Sequence, residues 1–307
     1  MRSTRKPDRW SDTHAGIRVE ELIRAASEAL ERSGVWFGHG TDNAVDDAAE
    51  LVFFACGLRH DDAEQAYQHR LTEAELTAAV SLLDRRIDER IPTAYLTRRM
   101  WFAGHEFYVD ERVLVPRSPI AELIAAQFSP WVDAVQVRNV IDVGTGSGCI
   151  AIACALAFPG ASVDACDISE DALEVTRINI DRFDLRSRVE VRRSDVFEGV
   201  GARRYDIIVS NPPYVGAQEL ASLPVEYAKE PQIGLRGGAD GLDIVRRILS
   251  GASEHLRPGG ILVVEVGNTE AELVDAYPRV PFTWLDFAHG GGGVFLLTAE
   301  QVAEIDR

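Results

Sequence analysis

In the first third of the chain, hydrophobic residues recur every three or four positions, which is the spacing of amphipathic helices. Within this block, Thr72 and Glu75 form a capping box that marks a helix start, and Pro92 closes the pattern. The periodicity therefore predicts a helical domain over residues 17–93. Residues 1–16 are polar and aperiodic, so we expect a flexible tail there.

The hydrophobic pattern changes period in the next segment, residues 94–115. From Trp101 to Val109, apolar and polar residues alternate around Gly104, which is the pattern of a β-hairpin. Pro116 follows the segment and ends it. We expect residues 94–115 to form a hairpin that links the helical domain to the rest of the chain.

From residue 138 onward, apolar runs alternate with amphipathic stretches. Strands are predicted at 138–143, 161–167, 188–193, 205–210, 260–266, 281–287 and 293–299, and helices at 147–158, 170–183, 241–256 and 268–277. This alternation predicts an α/β fold, a mostly parallel, Rossmann-like sheet of seven strands with helices on both faces. Only a few residues join the last two strands, so the final strand must be antiparallel.

Composition and charge restrict the functional classes. The 307 residues suffice for two domains, and a hydrophobic content of 46% with 26% charged residues is ordinary for a soluble protein. No apolar run is long enough to span a membrane, and no secretory signal opens the chain. The four cysteines form no C-x-x-C pair and no metal-ligand pattern, so we expect no metal and a reducing, cytoplasmic compartment.

The formal net charge of −17 weighs against direct binding of nucleic acid, since phosphate contact requires basic surface. An acidic protein instead suits a basic partner.

A glycine-rich run, Asp142 to Gly148, follows the first predicted strand of the sheet. Its glycines allow a ligand to approach the backbone closely, and the helix that follows presents free N–H groups. The run fits the D-x-G-x-G-x-G pattern of S-adenosylmethionine sites, whereas it matches the dinucleotide pattern G-x-G-x-x-G only weakly. On this motif alone, an NAD-dependent dehydrogenase remains an alternative.

Acidic residues end the next two strands. Asp167, followed by Ile168, is placed to accept hydrogen bonds from ribose hydroxyls, which both kinds of cofactor carry. Asp195 is placed to accept from an adenine amino group while Val196 flanks the ring. The candidate cofactor-binding residues are Asp142, Gly144, Thr145, Gly146, Gly148, Asp167, Ile168, Asp195, Val196 and Asn211.

The sequence Asn211-Pro212-Pro213-Tyr214 stops the fourth predicted strand of the sheet, because two prolines remove two backbone donors. A planar amide nitrogen is a poor nucleophile that carries two N–H donors. The Asn211 side-chain oxygen and the Pro212 carbonyl could accept one each, and the Tyr214 ring could cover the planar group. We therefore predict Asn211, Pro212 and Tyr214 as the catalytic residues of a methyl transfer to nitrogen.

The glycine run and the Asn-Pro-Pro-Tyr motif occur together in the S-adenosylmethionine-dependent methyltransferases that modify the side-chain amide of protein glutamine, and the chain resembles this family. Residues Glu230 to Leu242 are similar to the family's pattern E-P-x-x-x-L-x-G-G-x-D-G-L. The resemblance covers nearly everything from residue 17 onward. It implies a class I methyltransferase domain over residues 116–307, S-adenosyl-L-methionine as the cofactor, and substrate recognition by the helical domain.

One branch of this family acts on peptide-chain release factors, and another acts on the third protein of the large ribosomal subunit. The segment Arg117-Ser118-Pro119 resembles the ribosomal-protein branch, because the release-factor branch typically reads P-R-x-D-T-E there. A strongly basic ribosomal protein also suits the acidic charge, so we expect a free or early-assembling substrate. Open alternatives are a release factor, an amino group of adenine or guanine in nucleic acid, and a non-catalytic assembly factor.

Overall fold

The computed structural model of the chain describes residues 9–59 and 62–305. It divides into two compact units. The first comprises Met1–Arg98 and Pro224–Lys229, and the second comprises Arg99–Leu223 and Glu230–Arg307. The first unit is therefore built from two separate pieces of the chain.

Five α-helices form most of the described part of the first unit. They are α1 (Val19–Ser33), α2 (Ala44–Cys56), α3 (Ala63–Gln68), α4 (Glu73–Asp88) and α5 (Thr93–Thr97). The predicted capping box at the start of α4 is confirmed: the Thr72 hydroxyl accepts from Glu75 N, and the Glu75 carboxylate accepts from Thr72 N. These caps satisfy backbone donors that the first turn of a helix leaves free.

Part of the predicted flexible tail is held against α4. Trp10 Nε1 donates to Asp84 Oδ1 at 3.0 Å, and Arg9 pairs with Asp84 and Asp88, one helical turn apart. Residues 1–8 of the same prediction lie outside the described residues. Flexibility of the tail stays a prediction, but carboxylates of a distant helix supply partners for Arg9 and Trp10 that the local sequence does not reveal.

The interior of the first unit contains a buried guanidinium, that of Arg86, whose side chain is 1% exposed. Its Nε donates to Asp47 Oδ2 at 2.7 Å, and its Nη2 donates to the Trp36 carbonyl at 2.6 Å. The 3₁₀ helix Val225–Lys229 adds the buried carboxylate of Glu226, which lies 3.8 Å from Arg86 Nη1 and 3.3 Å from Arg90 Nη1. The second piece of chain thus completes the charge balance of the first.

The second unit begins with a hairpin of β1 (Met100–Phe102) and β2 (His105–Phe107), which pair antiparallel around Gly104. Helix α6 (Ile120–Ala125) follows. The sheet and its helices are β3 (Asn139–Val143), α7 (Cys149–Ala157), β4 (Ser162–Asp167), α8 (Glu170–Arg182), β5 (Val189–Arg193), β6 (Tyr205–Ser210), α9 (Ala217–Leu220), α10 (Asp243–His255), β7 (Leu256–Glu265), α11 (Glu270–Ala276), β8 (Thr283–Trp284), β9 (Val294–Thr298) and α12 (Ala299–Ile305).

The sheet has seven strands in the order β5-β4-β3-β6-β7-β9-β8. The five strands β3 to β7 run parallel to one another. Strand β9 is antiparallel to both of its neighbours, β7 and β8. The predicted seven-stranded sheet with an antiparallel last strand is therefore confirmed. The insertion of β9 between β7 and β8 is not visible in the sequence, because strand order depends on packing rather than on local pattern.

Strands β3 and β6 lie at the centre of the sheet and are covered on both faces. Val140 and Ile207 belong to one buried apolar cluster, whereas Ile141 and Ile208 belong to a second. The strand order reverses between β3 and β6, so a crevice opens at their carboxyl ends. In the described part of the chain, no helix is long and apolar enough to cross a membrane.

Candidate active site

A cavity of about 420 Å³ opens at the carboxyl ends of β3, β4 and β6. Most of the predicted site residues line it: Gly144, Thr145, Gly146, Asp167, Ile168, Asp195, Val196, Asn211 and Pro212. Three predicted residues, Asp142, Gly148 and Tyr214, do not line it.

The glycine loop forms the floor of the cavity. Gly144 and Gly146 adopt left-handed backbone angles, φ +75° and +56°, which favour glycine. Apart from the glycine itself and its two chain neighbours, no atom of the described structure lies within 4 Å of a Cβ built on either residue. The backbone N–H groups of Gly144 and Thr145 donate to the Cys166 carbonyl at 2.8 Å, which fixes the loop over the end of β4. The loop therefore leaves open space above it.

Asp142 and Gly148 shape this loop from below. Asp142 is fully buried, and its Oδ2 accepts from Thr145 Oγ1 at 2.6 Å and from Ala151 N at 3.1 Å. Burial raises the pKa of Asp142 to about 7, although these hydrogen bonds act in the opposite direction. A Cβ on Gly148 would lie 2.8 Å from Thr176 Cγ2. Both residues therefore help to build the loop, and their contact with a ligand stays a prediction.

Asp167 ends β4 and faces the cavity. Its Oδ2 accepts from Gly146 N at 3.0 Å, and its Oδ1 accepts from Ser169 N at 2.9 Å. Burial raises the pKa of this carboxyl, while the backbone hydrogen bonds lower it. The neighbouring Ile168 leaves 45% of its surface exposed on the cavity wall. A carboxylate and an apolar side chain are thus presented side by side.

Asp195 and Val196 line the cavity after β5, the strand that pairs with β4. Val196 has a left-handed backbone (φ +54°), a genuine outlier for a β-branched residue, and strain of this kind clusters at functional sites. The Ser194 hydroxyl supports the turn by donating to the Val196 carbonyl at 2.7 Å. Arg247 Nη1 donates to Asp195 Oδ1 at 2.7 Å. Sequence analysis did not identify Arg247, because it lies on α10, far from Asp195 in the chain.

Asn211 follows β6 directly and lines the cavity in a half-buried position. Within the described structure, neither its side-chain amide nor the Pro212 carbonyl has a hydrogen-bond partner. Both residues line the cavity, so these two neighbouring groups are available to a ligand. Both are oxygen acceptors that could hold the N–H groups of a planar amide or amine.

Tyr214 lies outside the cavity lining. Its hydroxyl donates to Glu265 Oε1 at 3.1 Å, and a Cβ on Gly267 would lie only 2.4 Å from its ring. The contact of this ring with the target group therefore stays a prediction. The side chain fills a slot that only glycine can line.

Two buried carboxylates hold the segment that precedes α6: Glu230, which the sequence analysis named only as the start of a family pattern, and Glu265, which it did not identify. Arg117 donates twice to Glu230, at 2.8 and 2.6 Å. The Ser118 hydroxyl donates to Glu265 Oε2 at 2.5 Å. A carboxylate at the end of an apolar strand, which led us to Asp142 and Asp167, was the signal available for Glu265. No cluster of metal-binding side chains occurs in residues 9–59 and 62–305.

Comparisons with known proteins identify similar chains. Residues 123–226 match the family described as the methyltransferase small domain. The chain is 46% identical over 285 residues to the ribosomal protein uL3 glutamine methyltransferase of Bordetella pertussis, covering 92% of this chain and 96% of that protein. The protein of the same name from Neisseria gonorrhoeae is also 46% identical over 285 residues, with 92% and 95% covered. A crystal structure of a methyltransferase from Pyrococcus furiosus is 20% identical, covers 64% of this chain and 89% of that one, and has a TM-score of 0.45.

Proposed function

The chain belongs to the family of ribosomal protein uL3 glutamine methyltransferases, and on this basis we propose that the cavity at the carboxyl ends of β3, β4 and β6 is its active site. The enzyme transfers a methyl group to the side-chain amide nitrogen of a glutamine in uL3. The observation that carries the site assignment is the pair of unpartnered acceptors on Asn211 and Pro212, beside an open glycine loop.

We propose S-adenosyl-L-methionine as the methyl donor. When bound, this cofactor supplies an electrophilic methyl group on a sulfonium centre. The open space above Gly144 and Gly146 allows a ligand to approach the backbone closely, and this cofactor requires no pyrophosphate site. Asp167 is placed to accept hydrogen bonds from ribose hydroxyls, and Asp195 and Val196 are placed to receive the base.

Asn211 and Pro212 orient the nucleophile in this proposal. The lone pair of an amide nitrogen is delocalised into its carbonyl, so correct placement must compensate for low reactivity. The Asn211 side-chain oxygen and the Pro212 carbonyl each accept one N–H of the glutamine amide. This pairing directs the nitrogen toward the methyl carbon and leaves no donor of the amide unsatisfied.

Replacing Asp167 by alanine should raise KM for S-adenosyl-L-methionine about 10- to 100-fold, because a charged acceptor of hydrogen bonds is worth roughly 1.5–3 kcal/mol. Binding can be measured by calorimetry and KM by methyl transfer to uL3. Asp171→Ala, which removes an exposed carboxylate four residues later, should leave both values unchanged. Equal cofactor affinity for Asp167→Ala and wild type would remove Asp167 from the cofactor site.

We further propose that the substrate is recognised by residues 17–93, with residues 94–115 as a linker and residues 116–307 as the catalytic domain. Residues 17–90 contain sixteen acidic residues and eight arginines, so this region would attract a basic ribosomal protein. The same charge would repel ribosomal RNA. The enzyme should therefore act in the cytoplasm on uL3 that is free or in early assembly, without binding nucleic acid directly.

Free uL3 should be methylated at least about tenfold faster than uL3 within intact large subunits, and the rate on free uL3 should fall as salt rises. Incorporation of labelled methyl groups into unmodified preparations of both substrates measures this difference. Equal rates on both would contradict the preference for unassembled substrate. A release factor in a parallel reaction tests the alternative substrate, and it should remain unmethylated.

A further inference from the structure

Glu265 lies beside the catalytic motif in the sheet. It is the last residue of β7. Ser210 of β6 pairs with Val264 of β7, so Glu265, one residue further on, lies level with Asn211, which follows β6. Its side chain is buried, with 3% of the residue exposed. Burial of a carboxyl group is energetically costly unless hydrogen-bond donors pair with it.

The Glu265 carboxyl receives donors from both sides. Ser118 Oγ donates to Oε2 at 2.5 Å, and Tyr214 Oη donates to Oε1 at 3.1 Å. Ser118 lines the cavity on one wall, and Tyr214 ends the motif that supplies Asn211 to another wall. A single buried side chain thus connects two walls that come from distant parts of the sequence.

The surroundings of these groups restrict their movement. The Tyr214 ring lies against Gly267, where any side chain would overlap with it. On the other wall, Arg117 is held by its double hydrogen bond to Glu230. The charged or titratable groups that face Glu265 are therefore the Tyr214 phenol and the Arg117 guanidinium, while the adjacent strand β9 presents Val294 in register.

We propose that Glu265 is a positioning residue for methyl transfer, which holds the hydroxyls of Ser118 and Tyr214 so that the two walls of the cavity keep a fixed separation. The inference rests on the proposed function. It also gives Ser118, part of the segment that differs between the two substrate branches, a physical connection to the catalytic motif.

The ionised form of Glu265 is the form that accepts both hydroxyl protons. Burial raises the pKa of this carboxyl to about 7, while Ser118, Tyr214 and Arg117 act to lower it. Below that pKa the carboxyl carries a proton of its own. The hydroxyls of Ser118, Tyr214 and Glu265 are then three donors, and the carboxyl offers fewer acceptor sites than its ionised form. We therefore expect kcat to rise with pH through about 7.

Glu265→Gln tests the proposal, because the amide keeps the shape but never ionises. We expect kcat for uL3 methylation to fall about tenfold and the rise near pH 7 to disappear, while KM for S-adenosyl-L-methionine stays within about twofold. Glu265→Ala should lose about 100-fold in kcat, since small misplacements of reacting groups have effects of that size. A Glu265→Gln enzyme with wild-type kcat and the wild-type pH profile would overturn the proposal.

Ser118→Ala and Tyr214→Phe remove single hydroxyls and keep the proposal testable if the Glu265 variants do not fold. Each should lower kcat about three- to tenfold, and the double variant should lose less than the product of the two, because both act through one carboxyl. Tyr205→Phe is a matched control: its hydroxyl donates to buried Asp164 at 2.6 Å at the other end of the sheet, and kcat should not change. Wild-type activity in Ser118→Ala and Tyr214→Phe would also overturn the proposal, whereas an inactive wild-type enzyme would contradict the proposed function itself.

Discussion

Replacing Asn211 by alanine is expected to lower kcat for uL3 methylation about 1,000-fold, while the Kd for S-adenosyl-L-methionine stays within about twofold of wild type. The substitution removes one of the two acceptors that would orient the glutamine amide, and the Pro212 carbonyl alone cannot fix the direction of its nitrogen. Because the glycine loop and Asp167 make no hydrogen bond to Asn211, the cofactor side of the cavity should be preserved.

The Asn211→Ala experiment requires turnover and binding to be measured on the same preparation. Methyl incorporation into purified uL3 gives kcat, and calorimetry gives the cofactor Kd. Asn139→Ala is a suitable control, because Asn139 begins β3 at the opposite end of the sheet and should be dispensable for turnover. If Asn211→Ala retained more than about a tenth of wild-type kcat, the assignment of the orienting acceptor would be wrong.

Replacing Arg86 by alanine should lower the free energy of unfolding by about 3–5 kcal/mol, the largest stability effect that we expect from a single substitution. The change would leave the buried Asp47 carboxylate without its guanidinium partner, Glu226 would keep only Arg90, and the Trp36 carbonyl would lose its donor. The free-energy cost of a buried charge without a partner is much larger than the net stabilisation that an intact buried ion pair provides.

Urea denaturation followed by circular dichroism measures the Arg86 effect. Arg177→Ala removes a guanidinium from an ion pair with Glu170 in which both side chains are about half exposed, and it should cost less than about 1 kcal/mol. A loss of stability no greater in Arg86→Ala than in Arg177→Ala would show that the buried cluster contributes little.

The sequence was sufficient for the elements of the sheet but not for their order. Alternating apolar runs located β3 to β9, since burial on both faces leaves a strong local signal. The position of β9 between β7 and β8 depends on contacts between segments that are distant in the chain, which no local pattern records. Similarly, α12 follows β9 with no break, and no helix was predicted after the last strand.

The residues of the candidate site were also predictable only in part. Gly144, Asp167 and Asn211 were predictable, because each belongs to a motif whose neighbours in the chain are also its neighbours in space. Arg247 and Glu265 were not, because their partners lie 52 and up to 147 residues away. The packing of Tyr214 against Gly267 was not predictable for a related reason: Gly267, which makes room for the ring, belongs to another strand end.

During synthesis, Arg90 precedes its partner Glu226 by 136 residues. At about 5–20 residues per second, roughly 7–27 s pass before the ribosome can supply this carboxylate. Throughout that interval the nascent helices α1 to α5 contain a guanidinium cluster that lacks one of its anions, so the N-terminal unit cannot complete its folding before β6 and the catalytic motif have been translated. Translation speed between codons 98 and 229 therefore sets the time for which a partly folded unit is exposed to chaperones and proteases.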